Sequence, residues 1–86
     1  MMSLFKTNIT IYDFKDIVKD RAYMPLWLHE MVKNKTAFIE NNETEYTKVI
    51  IKTLVGNIIV HIGDYIIYGN KTGSIFVLVG KRKILA

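Results

Sequence analysis

Glycines divide the second half of the chain into short apolar segments. All five glycines lie after residue 55, at positions 56, 63, 69, 73 and 80, and the segments between them are rich in Ile and Val. Short β-branched segments separated by turn residues are typical of strands. The strands must pair antiparallel, because parallel crossovers need about a dozen residues. With the apolar segment before Asn41, the pattern predicts strands at 37–40, 46–54, 58–62, 65–68 and 74–79.

Two of these strands are apolar at consecutive positions. Residues 58–60 and 75–79 lack the apolar–polar alternation of a strand with one face in water. Consecutive apolar residues are typical of strands that are covered on both faces. We therefore expect helices on one side of the sheet, and either barrel closure or a second subunit on the other.

The first half of the chain predicts a short strand and two helices. Ile9 and Ile11 alternate with polar residues, which suits a strand with an apolar inner face. We place the strand at residues 4–9 and the first helix from about 11 to 20. A second helix is expected to begin at Pro25, whose missing N–H costs nothing in a first helical turn.

The second helix contains an apolar stripe and the only tryptophan. Leu28, Met31 and Val32 are spaced to form the face that packs on a sheet. Trp27 has two interpretations, an anchor between helix and sheet or a platform on which a ligand stacks. The anchor is the favoured one.

Together these elements predict an α+β fold in a single domain, residues 1–86. One or two N-terminal helices would pack on a small, curved antiparallel β-sheet or partial barrel of about five strands. The predicted organisation is a helical N-terminal half at 1–36, a β-meander at 37–80 and a basic tail at 81–86. Half of the residues are hydrophobic, which excludes disorder. No apolar run reaches the ~18 residues of a membrane-spanning helix, so no membrane association is expected.

Apolar content and charge both indicate partners. A small domain has much surface for its volume, so a chain this apolar is expected to leave apolar surface exposed and to form a homo-oligomer. The net charge is +4, and residues 46–86 contain six basic side chains and one acid, Asp64. A basic half favours a polyanion or an acidic protein surface. The simpler alternative is a solvated, lysine-rich surface.

The candidate contacts to a partner or an anion lie in this basic half. Tyr65 and Tyr68 are three residues apart on one strand, so they point to opposite faces, one into the core and one outward. Lys71 would join an anion pocket if the 69–73 hairpin came near the C-terminus, although a solvated tail is favoured. The complete set of candidate contacts is Tyr65, Tyr68, Lys71, Lys81, Arg82 and Lys83.

Four residues of the same half are predicted to be structural turn residues. They are Gly63, Asp64, Gly69 and Gly73. The Asp64 carboxylate can accept backbone N–H groups within its turn, and we favour this role over contact with a ligand.

Residues for the common catalytic and metal sites are missing or wrongly spaced. The chain has no cysteine, and its two histidines, His29 and His61, lack the spacing of metal ligands. Ser74 has no nucleophile elbow, and the 69–73 loop precedes a strand instead of the helix that a phosphate loop requires. We expect a protein that is not an enzyme and that holds no metal or cofactor.

The segment Ile51–Gly69 carries a longer pattern. It resembles a family of small tailed-phage and prophage proteins of Gram-positive bacteria, whose C-terminal half runs I-K-T-L-x-G-x-(apolar)-x-V-x-x-G-D-Y-I-I-x-G-x-x-G. Met24–Leu28 is similar to the P-x-W-(apolar) helix start of that family, and the resemblance covers about residues 24–78. These positions are mostly turn glycines and apolar strand residues, so the resemblance indicates a fold and not an activity.

The resemblance implies a phage-encoded accessory protein in the host cytoplasm. We expect it to be non-enzymatic and to bind a host protein or a small nucleotide signal, in host takeover or in inhibition of an antiviral defence system. The alternative is a small basic nucleic-acid-binding protein. It would stack bases on Tyr65 or Tyr68 and neutralise phosphates with Lys71 and the basic tail.

Overall fold

The computed structural model describes residues 8–80 of the chain. Over this range, two α-helices, one 3₁₀ turn and six strands follow one another. The helices are α1 (Phe14–Lys19) and α2 (Leu26–Lys33), with the 3₁₀ turn Arg21–Tyr23 between them. The strands are β1 (Ile9–Asp13), β2 (Ala37–Glu40), β3 (Lys48–Thr53), β4 (Gly56–His61), β5 (Tyr65–Gly69) and β6 (Ile75–Leu78).

The strands form two three-stranded sheets, in the orders β1-β5-β6 and β2-β3-β4. Every pairing is antiparallel. The predicted α+β class and the antiparallel pairing are therefore confirmed. A single sheet or partial barrel of about five strands is not confirmed, because the strands divide between two sheets and do not close into a barrel.

The division arises at the connection between β4 and β5. Strands β3 and β4 are joined by a tight hairpin, which keeps them neighbours in one sheet. After β4 the chain turns through Gly63, at a φ of 104°, and β5 leaves that sheet. It pairs with β1 instead, in a register that runs from Ile9 opposite Gly69 to Asp13 opposite Tyr65. Residues 37–80 thus do not form one continuous meander.

The bounds of the first described strand and of the first helix differ from the predicted ones. Strand β1 shares only residue 9 with the predicted strand at 4–9, of which residues 4–7 lie outside the described range. Helix α1 begins at Phe14 because the Asp13 carboxylate accepts a hydrogen bond from Lys15 N at 3.0 Å and so caps it. Residues 9–13 cannot be helical because β5 binds them as a strand.

The core lies between the helices and the inner faces of the two sheets. Its eight hydrophobic side chains are at most 2% exposed: Phe14, Ile17, Leu28, Ala37, Val49, Ile51, Val60 and Ile66. Met31 and Val32 pack against this core, so the apolar stripe of α2 faces inward. Within residues 8–80, no helix is long and apolar enough to cross a membrane.

Candidate binding surfaces

Asp64 is buried in the turn between β4 and β5, where its side chain is 1% exposed. Its carboxylate accepts hydrogen bonds from His61 N at 3.0 Å and from Gly80 N at 3.3 Å. Its carbonyl oxygen accepts a third from Phe14 N at 3.2 Å. Asp64 thereby ties this turn to the start of α1 and to the chain after β6. These contacts give it a structural role.

Gly80 packs so closely on the same turn that it has no room for a side chain. A Cβ atom there would lie 1.9 Å from the carbonyl oxygen of Gly63. We expect Gly80→Ala to lower the free energy of unfolding by about 1–3 kcal/mol, because the segment must move and its hydrogen bond to Asp64 is lost. Urea unfolding followed by circular dichroism measures the change. The control is Val79→Ala at a 59% exposed side chain, expected within about 0.5 kcal/mol of wild type; equal losses in both variants would contradict the close packing.

Tyr68 lies on the covered face of the β1-β5-β6 sheet. Its ring stacks on Trp27 of α2, with centroids 4.3 Å apart and planes 5° apart, and Tyr12 contacts Trp27 edge-on at 6.0 Å. Trp27 is partly buried, and its Nε1 has no hydrogen-bond partner among residues 8–80. The tryptophan therefore anchors α2 on the sheet. One face of the Tyr68 ring is therefore already covered by Trp27.

Lys71 lies exposed at the tip of the β5–β6 hairpin, between Gly69 and Gly73. Gly73 has a φ of 74°, and its N–H donates to the Gly69 carbonyl at 2.7 Å to close the turn. Gly80 lies at the opposite end of this hairpin, against Asp64. The described chain thus ends away from Lys71. Three of the candidate contacts lie outside the described residues: Lys81, Arg82 and Lys83.

Tyr65 belongs to an exposed apolar surface on the outer side of the β1-β5-β6 sheet. Directly paired residues of antiparallel strands share a face, so the register groups these side chains. We call this surface the open face; it consists of Ile9, Ile11, Tyr65, Ile67, Phe76 and Leu78. Exposure ranges from 36% at Tyr65 to 61% at Phe76, with Ile67 less exposed at the centre.

The prediction that Ile9 and Ile11 form the inner face of their strand is wrong. They are 44% and 57% exposed, and Thr10 and Tyr12 point inward instead. Alternation shows that a strand has two different faces but not which one the rest of the protein covers. The sequence signal that points to an outer apolar surface is the unbroken apolar run at residues 75–79.

A second exposed surface lies on the outer side of the β2-β3-β4 sheet and continues into the β3–β4 hairpin. Leu54 and Val55 at the hairpin tip are fully exposed. We call this the hairpin surface; it consists of Phe38, Lys48, Ile50, Lys52, Leu54, Val55 and Ile59. Sequence reasoning missed it because Leu54 falls inside the strand predicted at 46–54.

The lysines of the hairpin surface differ in their contacts. Lys48 Nζ lies 3.7 Å from a carboxylate oxygen of Glu40, which offsets its charge. Lys52 Nζ lies 5.2 Å from the centre of the Phe38 ring. Lys52 therefore places its amino group over an aromatic ring of this surface.

In residues 8–80, no three His, Asp or Glu side chains are grouped to hold a metal ion. The hydrogen bond and negative charge of Glu45 raise the pKa of the exposed Tyr46 phenol above its ordinary value. What the described residues do offer is two exposed, mainly apolar surfaces, the open face and the hairpin surface.

Comparisons with family models, curated proteins and solved structures find no match to this chain. Its proposed binding function therefore rests on the hairpin surface.

Proposed function

We propose that this chain is a non-enzymatic phage accessory protein that binds a host protein in the host cytoplasm, in host takeover or in inhibition of an antiviral defence system. The hairpin surface is the proposed contact. The single observation that carries binding to another protein is the full exposure of Leu54 and Val55 at the tip of the β3–β4 hairpin. The phage context rests on the resemblance of Ile51–Gly69 to the small phage proteins. Hairpin tips are ordinarily occupied by Gly, Asn, Asp or Ser, whose exposure to water carries no hydrophobic cost in free energy.

The tip is held in shape before any partner arrives. The Thr53 hydroxyl donates to the Gly56 carbonyl at 2.6 Å and accepts from Val55 N at 3.2 Å. A preorganised loop loses less entropy on binding than a flexible one. Burying Leu54 and Val55 in a partner would contribute roughly 1.5–3 kcal/mol for each side chain.

The shape and charge of this surface favour a protein over a small nucleotide as the partner. A projecting tip fits a concavity on a larger molecule, whereas a nucleotide needs a concave site on the protein that binds it. The positive charge of Lys52 beside the tip favours an acidic rim around that concavity. We therefore expect a host protein with an apolar pocket bordered by carboxylates.

The test compares a double substitution at the tip with a substitution elsewhere on the surface. We expect Leu54→Ser with Val55→Ser to reduce affinity for the host partner at least roughly 100-fold, because two buried apolar contacts are lost. Quantitative mass spectrometry of proteins that co-purify from infected cells identifies the partner, and titration with the purified partner measures the affinity. Both side chains are fully exposed, so the variant should unfold at the same urea concentration as wild type.

The matched control is Tyr23→Ser. Tyr23 is 64% exposed in the 3₁₀ turn and lies on neither candidate surface. The control should recover the same host protein as wild type. Recovery of no host protein, or equal recovery with the tip variant, would contradict the proposal.

The alternative function is binding of single-stranded nucleic acid. What supports it is the position of Lys52 beside the Phe38 ring on one sheet face, because such proteins combine positive charge with aromatic stacking. It predicts a shift of labelled oligonucleotide at low salt and an affinity that falls steeply as salt rises. Lys52→Ala should then reduce the salt slope by about 1. Absence of a shift at low salt would eliminate this alternative.

A further inference from the structure

We infer that two copies of this chain pair through the open face, independently of any host partner. The only charged side chain on this face within residues 8–80 is Asp13 at one corner, and its carboxylate already caps α1. The chain as a whole carries a net charge of +4. A face without charge offers nothing to a charged partner, but it fits a copy of itself, because a twofold interface places the same patch on both sides.

The pattern of β6 also requires a second cover. Its four residues, Ile75–Leu78, are all apolar, and such strands are usually covered on both faces. On the inner side, Ile75 and Val77 pack against the core. On the outer side, Phe76 and Leu78 remain 61% and 53% exposed, and the strands do not close into a barrel that would cover them. The sequence predicts either barrel closure or a second subunit as the cover of this outer side. Because the strands do not close into a barrel, the second subunit remains.

The exposed area matches what a dimer needs. Five of the six side chains of the open face are 36% exposed or more. Together they expose roughly 500 Å² of mainly apolar surface, which is near the upper end for the largest patch on a monomer. Two copies would therefore remove about 1,000 Å² from water through these side chains alone, which reaches the lower limit of a specific interface.

The arrangement of the face suits packing of one sheet on another. Ile11, Ile67 and Phe76 form a row across the three strands, with Ile67 at its centre on the middle strand. A twofold axis near Ile67 would place the two sheets about 10 Å apart, the usual spacing of packed sheets. The hairpin surface lies on the other sheet, so pairing leaves Leu54 and Val55 exposed.

The first test is the oligomeric state of the full chain, measured by sedimentation and by light scattering over a roughly hundredfold range of concentration. We expect a dimer for wild type and a monomer for Phe76→Asp at the same concentration. The dissociation constant should rise at least roughly 100-fold, because each dimer loses two aromatic contacts and gains two like charges. The control is Ile59→Asp, at a 45% exposed side chain on the hairpin surface, and it should remain dimeric.

Two outcomes of this measurement would overturn the inference. One is a wild-type chain that stays monomeric at every concentration. The other is a dimer that Ile59→Asp dissociates as fully as Phe76→Asp. Circular dichroism of each variant shows whether it is folded.

A second test does not depend on disrupting the face. The chain contains no cysteine, so Ile67→Cys introduces a single thiol at the centre of the open face. Ile50→Cys is the matched control. Like Ile67, Ile50 is partly buried and lies on the central strand of its sheet. We expect a short bifunctional maleimide to cross-link Ile67→Cys at least about tenfold faster, because sheets packed about 10 Å apart place the two thiols within reach of such a reagent. Equal rates for the two variants would overturn the inference.

Discussion

Replacing Ile66 by alanine should lower the free energy of unfolding by about 2–5 kcal/mol. Ile66 is fully buried, and it is the single member of the eight-residue core that comes from the β1-β5-β6 sheet. The cavity would therefore open where this sheet meets the helices and the second sheet. The change equals a drop in melting temperature of roughly 10 °C or more for a chain of this size. Thermal and urea unfolding followed by circular dichroism measure it.

The matched control for Ile66 is the same substitution at an exposed isoleucine. Ile59 lies on β4 and is 45% exposed. We expect Ile59→Ala to cost less than about 1 kcal/mol, because its side chain leaves no closed cavity. A loss at Ile59 as large as at Ile66 would contradict the position of the core.

Replacing Trp27 by alanine should lower the free energy of unfolding by about 2–4 kcal/mol, somewhat below the range for a fully buried tryptophan because the ring is partly exposed. The variant loses the stack on Tyr68 and the edge contact with Tyr12, and aromatic pairs contribute beyond the area that they bury. Without this anchor, α2 loses its main aromatic contact with the sheet. Urea unfolding followed by circular dichroism is the measurement. Tryptophan fluorescence cannot be used, because Trp27 is the only tryptophan.

Trp27→Phe keeps an aromatic ring at this position with a smaller side chain. Phenylalanine keeps a ring against Tyr68 and removes Nε1, a buried donor without a hydrogen-bond partner among residues 8–80. We expect it to be about 1–2 kcal/mol more stable than Trp27→Ala, because the ring stack and part of the buried apolar volume are retained. Equal stability of the two variants would show that the stack on Tyr68 contributes nothing.

Much of the local structure was predictable because it depends on neighbours in the sequence. Apolar segments before Asn41 and Gly56 identified β2 and β3, and glycine-bounded segments identified β4 to β6. Their short connections indicated antiparallel pairing. The spacing of Leu28, Met31 and Val32 identified the inward face of α2. The Asp64 carboxylate accepts a backbone N–H within its own turn, as residue type and position suggest.

The position of β1 was not predictable from its own residues. Thr10 followed by Asp13 resembles a helix start, but Asp13 is the actual cap and residues 9–13 pair with β5. The partner strand lies more than fifty residues further along the chain. The local helical pattern of these residues is overridden when pairing with a distant strand completes a sheet. The separation into two sheets has the same origin, since it depends on this distant partner.

Apart from β1, the sequence by itself determined which of the described segments are helices and strands, because spacing, capping and turn chemistry act over a few residues. Only the tertiary structure decided which side of the β1-β5-β6 sheet is covered. Ile11, Ile67 and Phe76 cross one side, and Tyr12, Ile66 and Val77 cross the other, so the two rows are about equally apolar. The docking of α2 through Trp27 on Tyr68 selects between them, and it leaves the first row in water.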